Sequence, residues 1–148
     1  MEDGTILSWK STSKTSFSEE ATSLKGHKGS LLSLIVGAKK LFSGSIDHTI
    51  RVCDLESLDC KHVLNGHTGD VTSVMCWDQY LLCGSLDKMI NVWGATKSGN
   101  IEEVYKHDVD DAVVAFCGMH DEEEKPILLC SYKDNGVCLY DLPSQVFF

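Results

Sequence analysis

The chain has 148 residues, 43% of them hydrophobic and 24% charged, with a formal net charge of −9. Such a length supports a real core and such a composition excludes disorder, while the acidic balance disfavours direct contact with a phosphate backbone, since the largest basic cluster is Lys39-Lys40. No apolar run is long enough to span a membrane, and Met1-Glu2-Asp3-Gly4 is too acidic to open a secretion signal, so cytoplasm or nucleus is the expected compartment.

Taken in chain order, Thr5–Trp9 reads as a strand, and another is expected near Ala21–Leu24. Four short strands follow, at Leu31–Val36, Lys40–Ser45, Thr49–Asp54 and Cys60–Leu64. Val, Ile and Leu dominate them, and Gly, Asp or Asn separates them. The same order recurs at Val71–Cys76, Tyr80–Ser85, Met89–Trp93 and Ile101–Lys106. A third round offers Val113–Cys117, Ile127–Ser131 and Val137–Asp141. No segment of ten or more residues shows clean helical periodicity.

These rounds are an internal repeat. Gly26-His27 returns forty residues later as Gly66-His67, and a further forty residues lead to His107. Twenty residues after the first two histidines stand Asp47 and Asp87, inside the matching strings SGSIDHTIRVCD and CGSLDKMINVWG. A third string, CSYKDNGVCLYD, places Asp134 and Tyr140 in the same roles, seven residues late, with the surplus assigned to a loop at Met119–Pro126. DGTILSWK (Asp3–Lys10) matches the end of a unit, with Trp9 at the place of Trp93.

A forty-residue period with Gly-His at its start and S-G-S-x-D-x-x-I-x-V-Trp at its end resembles the WD repeat, whose units form propeller blades. The strings LKGHKGSLLSLIVGAKKLFSGSIDHTIRV, CWDQYLLCGSLDK and CGMHDEEEKPILLC are similar to the WD portion of plant proteins that join a CCCH zinc finger to a WD-repeat propeller. The expected fold is therefore all-β: a partial, open propeller of about three blades of four-stranded antiparallel sheets. Its divisions are a partial repeat at 1–24, repeats at 25–64 and 65–106, and a third at 107–148 lacking its outer strand. Unpaired edges at both ends imply marginal stability and self-association.

The resemblance also implies a buried hydrogen-bond chain of His, Asp, a strand-b Ser and a strand-c Trp. The full set would be His67, Asp87, Ser85 and Trp93, although Cys83 lies two residues earlier on the same strand face and competes with Ser85. The first unit has His27 and Asp47 with Ser43 or Ser45, and Cys53 in place of Trp. The third has His107 and Asp134, with Tyr140 in place of Trp. Because the repeat accounts for every Ser, His and Asp of this set, no catalytic role is assigned to them. Trp77-Asp78 imitates the family's name motif but falls at the turn between strands a and b.

The seven cysteines lack the short paired spacing of a zinc site and are expected to be buried core residues, with no metal and no cofactor. The leading function is a non-catalytic protein-interaction scaffold. The residues flanking each motif Asp, namely Ile46, His48, Leu86, Lys88, Lys133 and Asn135, are candidates to contact partner proteins. Trp77 is a further candidate, near the acidic run Asp121–Glu124. An auxiliary domain of a zinc-finger nucleic-acid-binding protein is the alternative. A ubiquitin-ligase substrate adaptor is a third reading, but the Arg cue that the family shows after Trp-Asp is missing after Asp54 and Asp141.

Overall fold

A computed structural model describes residues 3–9 and 21–142. It contains thirteen strands and no helix among those residues: β1 (Ile6–Ser8), β2 (Thr22–Leu24), β3 (Leu31–Gly37), β4 (Lys40–Ser45), β5 (Thr49–Asp54), β6 (Cys60–Asn65), β7 (Val71–Trp77), β8 (Tyr80–Ser85), β9 (Met89–Ala95), β10 (Ile101–Asp108), β11 (Val113–His120), β12 (Pro126–Tyr132) and β13 (Val137–Asp141). The expected strands are all present, within three residues at each boundary. Lys10 and the Pro143–Phe148 tail lie outside the described residues.

The strands form antiparallel meanders. Blade 1 has the order β3-β4-β5-β6, blade 2 the order β7-β8-β9-β10, and blade 3 holds β11-β12-β13; β1 and β2 make a separate two-stranded sheet. The inner strands β3, β7 and β11 lie side by side. Serine hydroxyls join them: Ser33 Oγ accepts from the Val74 amide and Ser73 Oγ from the Phe116 amide, both at 3.0 Å.

Strands β4 and β8 are buried over their last five residues, because each sits mid-sheet with another blade against its face. The glycine in each S-G-S or C-G-S string permits that approach. A Cβ on Gly44 would lie 2.7 Å from Val71 Cγ1, and one on Gly84 would lie 2.6 Å from Val113 Cγ1. The neighbouring blade therefore seats its inner strand directly on these positions.

Three apolar clusters fill the spaces between sheets. Leu24, Leu41 and Cys53 join the two-stranded sheet to blade 1. Phe42, Ile50, Val52, Val71, Leu81 and Trp93 join blades 1 and 2. Leu82, Ile90, Val113, Leu128 and Cys130 join blades 2 and 3. At the outer limits apolar side chains stay uncovered among the described residues, including Leu34 and Val36 on β3 and Val137 and Leu139 on β13. No helix of the described residues is long and apolar enough to cross a membrane.

The surplus in blade 3 is five residues, not seven. Val71 pairs Ser85 fourteen positions on, whereas Val113 pairs Tyr132 nineteen positions on. The hairpin loop and both of its strands are longer. Val71 follows Leu31 by forty positions but Val113 follows Val71 by forty-two, so the forty-residue count that leads to His107 stops short, in the previous blade.

Candidate functional site

Each blade turns from its second to its third strand through an aspartate. Asp47 Oδ1 accepts from the Thr49 amide at 3.0 Å and the Thr49 hydroxyl at 2.6 Å. Its Oδ2 accepts from the Lys28 amide at 2.9 Å and pairs with His27 Nδ1 at 2.9 Å. Asp87 repeats this with the amides of Met89 and Thr68 and with His67 Nδ1 at 2.9 Å. Burial would raise both carboxyls, but the hydrogen bonds outweigh it and hold both below the usual carboxylate range: the Thr49 hydroxyl, Lys28 amide and His27 for Asp47, the Thr68 amide and His67 for Asp87.

The carboxylate fixes the histidine tautomer: Nδ1–H donates to Asp, leaving Nε2 as an acceptor. In blade 1 the Ser43 hydroxyl donates to His27 Nε2 at 2.8 Å. In blade 2 the partner is Cys83, whose sulfur lies 3.0 Å from His67 Nε2. The Trp93 indole N–H donates to the same sulfur at 3.2 Å. The chain therefore runs Trp93 to Cys83 to His67 to Asp87. Burial pushes the Cys83 thiol up to about 12, against the opposing pull of the Trp93 hydrogen bond, so its proton stays available to the histidine. Burial likewise lowers His67, although Asp87 opposes the shift.

Ser85, the residue first assigned to this chain, is corrected to Cys83. The pleat puts both on one face, but Cys83 pairs across the sheet with Asn91, within reach of Trp93, whereas Ser85 sits at the turn. There Ser85 Oγ accepts from the Asp87 amide at 3.1 Å, as Ser45 does for Asp47 at 3.2 Å.

His107 is also corrected. It lies on β10, the outer strand of blade 2, opposite Ile90, and its ring packs edge-on against Tyr140 at 5.6 Å. Counting back from Val113 as from Val71, the motif histidine's place in blade 3 is taken by the buried Val109. Asp134 keeps its turn position and accepts from the Gly136 amide at 2.7 Å. Its own amide donates to Asp111 Oδ2 at 3.0 Å, a carboxylate doing the work of the Ser45 and Ser85 hydroxyls. The sequence left Cys83 as the alternative to Ser85, and it did not point to Asp111 or Val109. The stretch from Asp87 to Val113, two residues longer than that from Asp47 to Val71, was the signal that could have revealed the last two.

The cysteines need a further correction. Cys53 and Cys60 are joined in a disulfide across β5 and β6, so they are not core thiols. Cys76, Cys83, Cys117, Cys130 and Cys138 are free.

Every aspartate turn places its next residue at positive φ: Gly4 at 69°, His48 at 68°, Lys88 at 66° and Asn135 at 68°. These turns share one rim. Ile46 stands 40% exposed there, resting on Gly29. Leu86 is half-buried, and His48, Lys88, Lys133 and Asn135 are exposed. His48 Nε2 lies 3.6 Å from Asp70 Oδ1, and Lys88 Nζ lies 3.9 Å from Asp111 Oδ1. Trp77 belongs to the opposite rim. It is half-buried and its ring packs at a tilt against His120 at 5.2 Å, beside a groove of about 380 Å³ between blades 2 and 3 that Tyr105, Tyr140 and Leu128 help to line.

Blades of four antiparallel strands, each pinned by a His–Asp pair at its rim turn, define a WD-repeat β-propeller segment. The family model "WD domain, G-beta repeat" matches residues 18–54 and 58–94, and the chain belongs to that family. It is similar to Zinc finger CCCH domain-containing protein 17 of Oryza sativa subsp. japonica, at 52% identity over 97% of this chain and 33% of that protein. It is also similar to Zinc finger CCCH domain-containing proteins 48 and 59 of Arabidopsis thaliana, at 49% and 47% identity over 97% and 95% of this chain and 33% and 30% of theirs. The chain thus spans about a third of the length of these relatives. Among solved structures, that of U3-55K shares the fold, with a TM-score of 0.77 at 20% identity over 98% of this chain and 45% of that one.

Proposed function

We propose that this segment is a non-catalytic docking platform and that partner proteins bind the rim formed by the aspartate turns. One observation carries the reading. At each turn in blades 1 and 2 the Asp and His are directed inward and fully hydrogen-bonded, while Ile46, His48 and Lys88 beside them face solvent. An exposed Ile between charged neighbours is the composition of a contact site's anchor and margin.

The Asp47–His27–Ser43 alignment has the order of a hydrolytic triad, but Ser43 is fully buried. The crevice beside it has no room for a water molecule. A nucleophile that no substrate can reach supports a structural role.

The relatives' names favour a second reading, an auxiliary domain within a larger zinc-finger protein. The net charge of −9 disfavours phosphate contacts and so supports a protein-binding role for this segment within such a molecule.

The test is capture by the tagged chain, quantified against Ile46→Asp/Leu86→Asp on the rim and Trp77→Asp on the opposite side. The rim pair should abolish capture with unchanged circular dichroism, and Trp77→Asp should leave it intact. The reverse pattern would move the interface to the Trp77 side. Light scattering on the same samples separates partner capture from self-association through the uncovered β3 and β13 faces.

A further inference from the structure

The disulfide occupies a particular place in blade 1. Cys53 pairs across the sheet with Cys60, where blade 2 pairs Trp93 with Glu103. Blade 1 therefore has a covalent link between its outer strands where blade 2 has packing and a hydrogen-bond chain. Around that link the backbone already closes the hairpin. The Asp54 amide donates to Asp59 O and the Leu58 amide to Asp54 O, both at 2.9 Å. The ladder continues from Val52↔His62 to Thr49↔Asn65. The sulfur–sulfur bond can open without releasing β6.

The two sulfurs differ. Cys53 is 1% exposed, whereas Cys60 is half-buried. Beside them runs Arg51. Its guanidinium is packed on Gly26, where a Cβ would meet Nη1 at 2.5 Å. It lines one crevice with Cys53 and Cys60, and its Nε is buried with no hydrogen-bond partner among the described residues. A thiolate buried at Cys53 would be strongly disfavoured alone, but a fixed cation with an unused donor compensates it.

We propose that Cys53–Cys60 is a reversible thiol–disulfide exchange site for a glutathione-type thiol, with Arg51 as its positioning cation. The external thiolate attacks Cys60 Sγ and the sulfur–sulfur bond breaks. Cys60 is left in a mixed disulfide, and Cys53 leaves as a thiolate that Arg51 keeps ionised. A second external thiolate attacks the outer sulfur, freeing Cys60 and releasing the oxidised external disulfide. Two external thiols are oxidised for each protein disulfide reduced. Cys130 and Cys138 supply an internal contrast. They also face each other across two strands and remain free thiols, and burial, followed by the neighbouring Cys138, pushes the Cys130 thiol up to about 12.

The experiment titrates the full chain through glutathione redox mixtures, quenches with an alkylating agent and maps the modified cysteines by mass spectrometry. One two-thiol step should appear, confined to Cys53 and Cys60, with the transient glutathione adduct on Cys60. Arg51→Met should move the midpoint toward more reducing mixtures by roughly tenfold, and Arg51→Lys should keep it within about threefold of the wild type. Should Arg51→Met fail to fold, the adduct position in the wild type decides. An adduct on Cys53, two cysteines that alkylate at every mixture, or a midpoint indifferent to a folded Arg51→Met would overturn the proposal. None of these outcomes depends on where partners dock.

Discussion

Blades 1 and 2 share a backbone, a turn and a His–Asp pair, yet they complete the rest of the blade differently. In blade 2 the pair continues through Cys83 to Trp93, so one hydrogen-bond chain crosses from the rim turn to the third strand. In blade 1 it stops at Ser43, and the third strand is tied instead to the fourth by Cys53–Cys60. Blade 3 keeps only the turn. The turn is therefore the indispensable part of the design, because it satisfies backbone amides that any strand reversal leaves orphaned. The inward chain is interchangeable with other ways of holding the outer strands.

That comparison orders the expected effects of mutation. Asp87→Ala removes an ionised acceptor that serves two backbone amides and a buried histidine. It should cost about 2–4 kcal/mol in chemical denaturation, whereas Asp134→Ala, exposed and serving one amide, should cost less than about 1 kcal/mol. Equal losses would mean that the inward chain adds nothing to the turn.

Acid should separate the same groups. The folded state lowers His67 below its ordinary value, so the unfolded chain binds its proton first, and stability is lost as pH falls from about 6.5. A second loss, from the lowered Asp47 and Asp87, should begin below about pH 4 as the carboxylates are forced to protonate. His67→Phe should flatten the first loss and leave the second. A variant whose stability still falls as steeply between pH 7 and 5 would remove His67 from the account.

The smallest effect is expected at the turn's second residue. Lys88 holds a φ of 66° that glycine adopts without penalty, as Gly4 does at 69°. Lys88→Gly should be neutral or stabilising by up to about 1 kcal/mol, measured by thermal melting. A clear destabilisation would show that the Lys88 contacts with Asp110 and Asp111 matter more than the backbone.

Much of this was legible in the sequence because the repeat exposes it. Strand positions followed from alternating apolar runs between Gly and Asp. His27, Asp47, His67 and Asp87 followed from a spacing of twenty that the turn geometry enforces. Three features escaped for separate physical reasons. Ser85 and Cys83 are both small, polar and on one strand face, and only cross-strand register distinguishes them. His107 falls one forty-residue period after His67, but the second unit runs forty-two residues from Val71 to Val113, which moves the true place to Val109. Cys53 and Cys60 read as a six-residue gap, whereas the hairpin brings them directly opposite.

The central claim is that the motif residues of blade 2 form one buried chain ending at Trp93, leaving the rim side chains for partners. Hydrogen exchange of the three tryptophan indoles, followed by NMR, tests it most directly. Trp9 is 58% exposed, Trp77 is half-buried, and Trp93 is 6% exposed and bonded to Cys83. One indole, assigned to Trp93, should exchange far more slowly than the other two. Cys83→Ser should preserve that protection and Cys83→Val should weaken it. Three indoles exchanging alike, or a Trp93 signal indifferent to Cys83→Val, would contradict the chain.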